Sequence, residues 1–188
     1  NYVQVEIFSK LSAEQKRVLS AIAIYRELVQ LEALADQKLD TDVLSTLVES
    51  GLARQADAET YDVHDLIREF LLQSLDSQVK EQLHAKCVDW YTKQSSHHAL
   101  KVELIYHLIN SGKEDAAMTE LVSSGRELVG HGHMEILTLI ESIPRGKVEE
   151  THVAKVKQLK GEILMLQGRL EEAKSVLSEL RESLDKSD

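Results

Sequence analysis

Cysteine and proline are almost missing from this chain: one of each occurs in 188 residues, beside eight glycines. A single thiol cannot close an internal disulfide, which fits a reducing compartment, and we expect a cytoplasmic protein. With so few glycines and prolines, long helices meet few interruptions. No apolar run approaches the roughly 20 residues that a membrane span requires, and the N-terminus shows no signal-peptide pattern. An excess of positive charge is missing as well. The formal net charge is -10, which argues against nonspecific attraction to nucleic acid or to an anionic membrane. What remains is an ordinary globular composition, 43% hydrophobic and 29% charged, long enough for one medium domain or two small ones. The chain opens at Asn1, without a Met and in mid-pattern, so we expect a piece of something longer.

From Leu11 to about Leu75 the pattern reads helix, helix, helix, two short strands, helix. LSAEQKRVLSAIAIY opens with Ser12-x-x-Gln15, the capping-box spacing that ties off free backbone N–H groups. Val18, Leu19, Ile22 and Ile24 follow at near-helical spacing. A second short helix is predicted over Glu27–Ala35 and a third over Thr41–Ser50. The third has Asp40 or Thr41 as N-cap, Leu44, Leu47 and Val48 facing inward, and Gly51 as its stop. Leu52 and Arg54 alternate, as do Tyr61 and Val63, around the polar stretch Ala56–Thr60; that pattern predicts a β-hairpin. Three helices followed by a hairpin are the signature of a winged helix. We place a winged-helix domain over 1–75, all-α apart from its small β-hairpin wing.

Beyond Asp76 only helices are predicted, so the chain as a whole reads as mainly α. Val79, Leu83, Cys87 and Trp90 form one stripe; Leu104, Ile105, Leu108 and Ile109 form another. Ser111-Gly112 and Gly130-His131-Gly132 are breaks around a helix with Ala117, Met118, Leu121 and Val122 inward, and Ile143-Pro144 ends the short helix that follows. Gly168 separates Val156, Leu159 and Ile163 from Leu170, Ala173, Val176, Leu177 and Leu180. Antiparallel helix pairs of this length, joined by short turns, predict a small α-solenoid over 76–188. Gly161, Leu164, Gly168, Ala173 and Leu177 match the spacing of a tetratricopeptide repeat, although Leu or Lys fills its aromatic positions. The domain is therefore an antiparallel helical-repeat (TPR-like) unit.

A winged helix invites a DNA-binding reading, with the helices as a dimerisation domain of a transcription regulator. Charge speaks against it. The third helix, DTDVLSTLVES, has acidic residues and no Lys or Arg, and residues 1–75 carry seven basic residues against thirteen acidic ones. Phosphate contacts dominate the affinity of duplex readers, and this surface lacks them.

One titratable ring remains to be explained. TYDVHDLIREFLL places His64 between a strand end and a helix start, with Asp65 as a plausible N-cap and Leu66, Ile67, Phe70, Leu71 and Leu75 as the apolar face. Free N–H groups and the helix dipole favour an anion at such a corner. The plainer alternative is that His64 only caps or packs the turn.

YDVHDLIREFL resembles the end of the winged-helix domain in signal-transduction ATPases with numerous domains, the STAND class that includes the NB-ARC proteins. FSKLSAEQKRVLSAIAIYR looks like the start of that domain. HALKVELIYHLINSGKEDAAMTELV, GHMEILTLIESIP and LKGEILMLQGRLEEAKSVL are similar to the helical repeats that follow the ATPase core in bacterial and archaeal members. The resemblance covers most of the chain. It implies that His64 contacts the β-phosphate of bound ADP and holds the closed state, that Asp65 supports the corner, and that Val63 replaces the family's usual Met. It implies an upstream nucleotide-binding domain as partner, and a protein or small-molecule signal on the repeats.

A P-loop, Gly-x-x-x-x-Gly-Lys-Ser/Thr, does not occur in this sequence, so the resemblance implies ADP or ATP only together with that upstream domain. No Gly-x-Ser-x-Gly or Ser/His/Asp ordering supports a hydrolase. His97-His98 and His131-Gly132-His133 invite a metal reading, but their placement argues for solvated turn histidines. Cys87 lies on an apolar stripe and is expected to be a buried structural thiol. We therefore expect a non-enzymatic regulatory and interaction module, with His64 and Asp65 as nucleotide-sensing residues and no catalytic or metal residues.

Overall fold

Ser12 Oγ accepts the Gln15 N–H at 3.1 Å while Gln15 Oε1 accepts the Ser12 N–H at 2.9 Å, and helix α1, Ala13–Ala23, starts on this reciprocal cap. The computed structural model describes residues 6, 8–37, 41–94, 97–144 and 150–185. It divides into two compact units, Asn1–Trp90 and Tyr91–Asp188, each with its own core. Val18, Leu19, Ile22 and Ile24 are buried in the first, as their spacing predicts.

After α1 the chain departs from the helix expected over Glu27–Ala35. Val29–Gln30 forms a strand, β1, and Leu31–Gln37 a 3₁₀ segment. Burial there has a period of two: Leu28 is exposed, Val29 buried, Gln30 exposed. Sheet pairing overrides local helical spacing, because β1 fills an edge that would otherwise stay open. Leu31 N–H extends the contact to the Glu59 carbonyl at 2.8 Å.

Helix α2, Thr41–Glu49, buries Leu44 and Leu47 and half-buries Val48. Thr41 is its first residue, and Asp40 lies outside the described residues. Gly51, at φ +70°, turns the chain back so that the Leu52 and Ala53 N–H groups both reach the Leu47 carbonyl. The hairpin follows where the alternation predicts it, as β2, Arg54–Gln55, and β3, Thr60–Asp62. The sheet is antiparallel with order β1-β3-β2; Tyr61 pairs with Val29 on one side and Gln55 on the other. The segment is thus not all-α apart from a hairpin, since a third strand joins it. Helix α3, Asp65–Ser74, packs with α2 on α1.

Helix α4 runs over Ser77–Gln94. Its buried face is Leu83, His84, Cys87, Val88 and Tyr91; Val79, expected on that stripe, is exposed, and Trp90 is half-buried. Cys87 is a buried thiol, as expected.

The second unit contains α5, His98–Asn110, α6, Glu114–Gly130, α7, Ile136–Ser142, α8, Glu150–Leu166, and α9, Leu170–Asp185. The α5–α6 and α8–α9 pairs turn at Gly112 and Gly168, and α6 also packs on α8. Leu104, Ile105, Leu108 and Ile109 are buried, as are Ala117, Met118 and Leu121, with Val122 half-buried. Val156, Leu159, Ile163 and Ala173 are buried too, but Leu170 is 63% exposed. Leu170 begins α9 at the turn, ahead of the part of the helix that α8 covers.

Small residues set how closely these helices approach. A Cβ on Gly161 would lie 2.7 Å from Leu177 Cδ2 and 2.8 Å from its Cγ, and one on Gly125 would collide with Leu159 Cδ2. Gly161→Ala gains helix propensity of about 1 kcal/mol but overpacks by about 1–3 kcal/mol. We expect a net loss of about 1 kcal/mol in urea unfolding. Leu177→Ala in the same background removes the clash, so the cost of Gly161→Ala should then vanish.

Burial, with Lys80 one helical turn away, pushes the His84 imidazole down from 6.5 to about 4. The unfolded chain takes up a proton at the higher of these values and the folded chain only at the lower. Acid therefore favours unfolding between them, and the stability is fully present above pH 6.5. Wild type should lose about 2 kcal/mol across that window. His84→Leu should flatten the slope of Tm against pH.

Candidate functional site

The corner singled out by the sequence is built around a strand end. Val63, fully buried, directly follows β3, and its N–H donates to Asp62 Oδ1 at 2.7 Å. His64 then caps α3: its Nδ1 accepts the Leu66 N–H at 3.3 Å, and its carbonyl accepts the N–H groups of Ile67 at 2.8 Å and Arg68 at 2.9 Å. The N-cap is thus His64 and not Asp65. Asp65 is the first helical residue, where its charge suits the helix dipole. Both side chains are exposed. Leu66, expected on the apolar face, is 60% exposed beside them; Leu71 is buried, and Ile67, Phe70 and Leu75 are half-buried. Phe70 packs on Phe8, with ring centroids 4.6 Å apart and planes tilted by 35°.

Behind this corner lies a polar clasp that the sequence reading missed. Arg68, a full turn after His64, donates to Asp62 Oδ1 at 2.5 Å, to the Ala23 carbonyl at the end of α1 at 3.2 Å, and to the Val63 carbonyl at 3.4 Å. Arg54 donates to the other Asp62 oxygen from the neighbouring strand. No motif marks such an arrangement, because its members come together only when strand, helix end and helix start meet. The two arginines differ in burial: the side chain of Arg68 is 16% exposed, that of Arg54 71%.

The histidine pairs resolve differently. His98 and His131 stack with ring centroids 3.8 Å apart, and His131 Nδ1 lies 2.8 Å from the Glu127 carbonyl. His133 Nδ1 lies 3.0 Å from Glu135 Oε1. His107 is buried between the rings of Tyr91 and Tyr106. Among the described residues, no three His, Cys, Asp or Glu side chains come together in a metal-holding group.

The helical unit carries a cleft of about 560 Å³. Its apolar lining comes from Met118, Ile140, Ile143, Pro144, Val153 and Val156. Lys160 pairs with Glu141 at 2.9 Å and Lys157 with Glu179 at 3.9 Å along it, so its charged rim is paired within itself. Such a rim leaves the apolar lining as the main source of attraction for a ligand.

Because Arg54 works in high dielectric and Arg68 is largely enclosed, their replacement should cost very different amounts. Arg54→Ala is expected to change unfolding free energy by no more than about 0.5 kcal/mol. Arg68→Ala should cost about 2–3 kcal/mol, since it leaves Asp62 without its enclosed partner. Equal losses in urea titrations would contradict this division.

No protein-family model matches the chain, and neither does any curated protein. The fold is similar to part of a solved structure, a Signal Transduction ATPase with Numerous Domains (STAND) protein with a tetratricopeptide repeat sensor from Pyrococcus horikoshii. The TM-score is 0.70 at 20% identity, over 95% of this chain and 27% of that one. At this identity the likeness is one of fold, and this chain spans about a quarter of the length of that protein. Among the described residues no helix is long and apolar enough to cross a membrane.

Proposed function

We propose that this chain is the regulatory and protein-interaction portion of a STAND-type ATPase. In this reading residues 1–75 are a winged helix that helps hold an ADP-bound inactive state, and the helical repeats over 76–188 receive a protein or small-molecule signal. The fold likeness over 95% of the chain to part of a STAND protein carries the reading, because it spans both units in one order. The exposed His64 at a helix start supplies the chemistry, since an imidazole there can donate to a phosphate and the helix dipole favours an anion. Nucleotide chemistry itself belongs to an upstream nucleotide-binding domain, whose P-loop would hold ADP or ATP.

The mechanism follows from linkage. A closed state contacting ADP through His64 competes with an open state, and a signal that binds the repeats better in the open state shifts the balance. The apolar cleft between paired lysines and glutamates is a place in the repeats with a shape to take such a signal.

Two measurements test this. Reading the coding sequence upstream of Asn1 should reveal a P-loop followed by an acid-terminated strand. In the complete gene product, His64→Ala should speed ADP release about tenfold, as expected for one charge-assisted hydrogen bond. Release at the wild-type rate would remove His64 from the switch.

A further inference from the structure

We propose that the cleft of the helical unit binds a small amphipathic carboxylic acid, with the apolar body against the cleft lining and the carboxylate on Lys157. This rests on the reading of the cleft as a place for the signal, and it names the chemistry that signal would have. The cleft volume of about 560 Å³ lies in the range of sites that hold small organic molecules, roughly 300–1,000 Å³. Of its apolar lining, Met118 and Val156 are buried and Ile140, Ile143 and Val153 half-buried. Covering the part of that surface still in contact with water supplies the attraction.

The charged side chains then set the sign of what binds. Lys157 and Lys160 stand about one turn apart on α8, and Glu141 of α7 and Glu179 of α9 face them from the flanking helices. The lysine side chains are 37% and 25% exposed, and the glutamates paired with them 65% and 44%. Water screens the carboxylates more than the ammonium groups, so the field inside the cleft is positive although the four formal charges cancel. The two lysines are not equally committed. Lys160 lies 2.9 Å from Glu141, and its charge also acts on Glu172. Lys157 lies 3.9 Å from Glu179, beyond hydrogen-bonding distance, so its ammonium can turn to a ligand's carboxylate. A bare anion gains too little here. The chain's net charge of -10 opposes any anion that brings no apolar contact with it.

Naphthylacetate carries both halves and can be titrated into the 188-residue chain while amide spectra are recorded. At the usual efficiency per atom, a ligand of about 14 non-hydrogen atoms gives a Kd of about 1 mM. Shifts should centre on Met118, Ile140, Val153 and Val156. Naphthylacetamide and naphthylethylammonium should bind about tenfold more weakly, for want of the charge-assisted contact. Acetate at the same concentrations should not bind. Lys157→Gln should erase the preference for the acid over the amide. Glu179→Gln, which frees Lys157, should tighten the acid about threefold.

Equal or tighter binding of the amide or the ammonium would overturn the carboxylate assignment, as would an acid preference that survives Lys157→Gln. Shifts centred away from the cleft, or none at all, would overturn the site. In the complete gene product, saturating naphthylacetate should speed ADP release about fivefold or more. No binding, with His64→Ala still releasing ADP faster, defeats the site and leaves the regulatory reading standing. Binding with the full acid preference and unchanged ADP release upholds the site and removes the cleft from the switch.

Discussion

Arg68 donates to the Ala23 carbonyl, the Asp62 carboxylate and the Val63 carbonyl, and so joins the end of α1, the last residue of β3 and the first turn of α3. Each of those elements ends in polar groups that burial would otherwise leave short of partners. A guanidinium suits this place because its donors lie in one rigid plane and can reach several acceptors together. A lysine could satisfy fewer of them. This one contact ties the corner to the end of α1, alongside the apolar packing of Leu71 and Phe70 on α3. Among the described residues of the second unit no arginine donates to three elements in this way; Arg126 joins only α6 to α8, through Glu162. There, closeness is set by glycine at helix crossings, with leucine side chains from the neighbouring helix filling the space a Cβ would occupy.

Recurring helix ends give the second unit its regularity. After α5, α6 and α8, a glycine at positive φ reverses the chain, and the next N–H reaches back to a carbonyl in the last turn. Lys113 N–H returns to Leu108, His133 to Leu128 and Arg169 to Leu164, the same span each time. The turns are short; α5 lies against α6 and α8 against α9, while α7 packs on α5 and α8. At the α8–α9 turn this leaves Leu166 and Leu170 exposed.

Much of this was legible beforehand, and the reasons differ by element. The capping box and the glycine stops could be read because a helix end is decided by a few neighbouring residues. The hairpin was legible through alternation over Leu52–Val63. β1 was not, because two residues carry no periodicity and the partner lies far along the chain. The exposure of Leu66, Val79 and Leu170 was missed for a related reason: spacing marks a face, but only tertiary packing decides how far cover extends toward a helix end. At the corner, the residue carrying the cap was misplaced by one, since Asp is the commoner cap and an imidazole acceptor leaves no signature. The Arg68–Asp62 clasp was invisible because neither residue is unusual alone.

The strand order has a consequence in time. β3 sits in the middle of the sheet although it comes last in the chain, so β1 has no partner until about thirty more residues have been made. During synthesis the segment after α1 must wait, its backbone bonded to water, while the local hairpin closes first. Only then can Val29 leave solvent and the Ala23 carbonyl meet Arg68. Assembly of the unit is therefore ordered by loop closure, with the hairpin as the template and the earliest strand the last to dock.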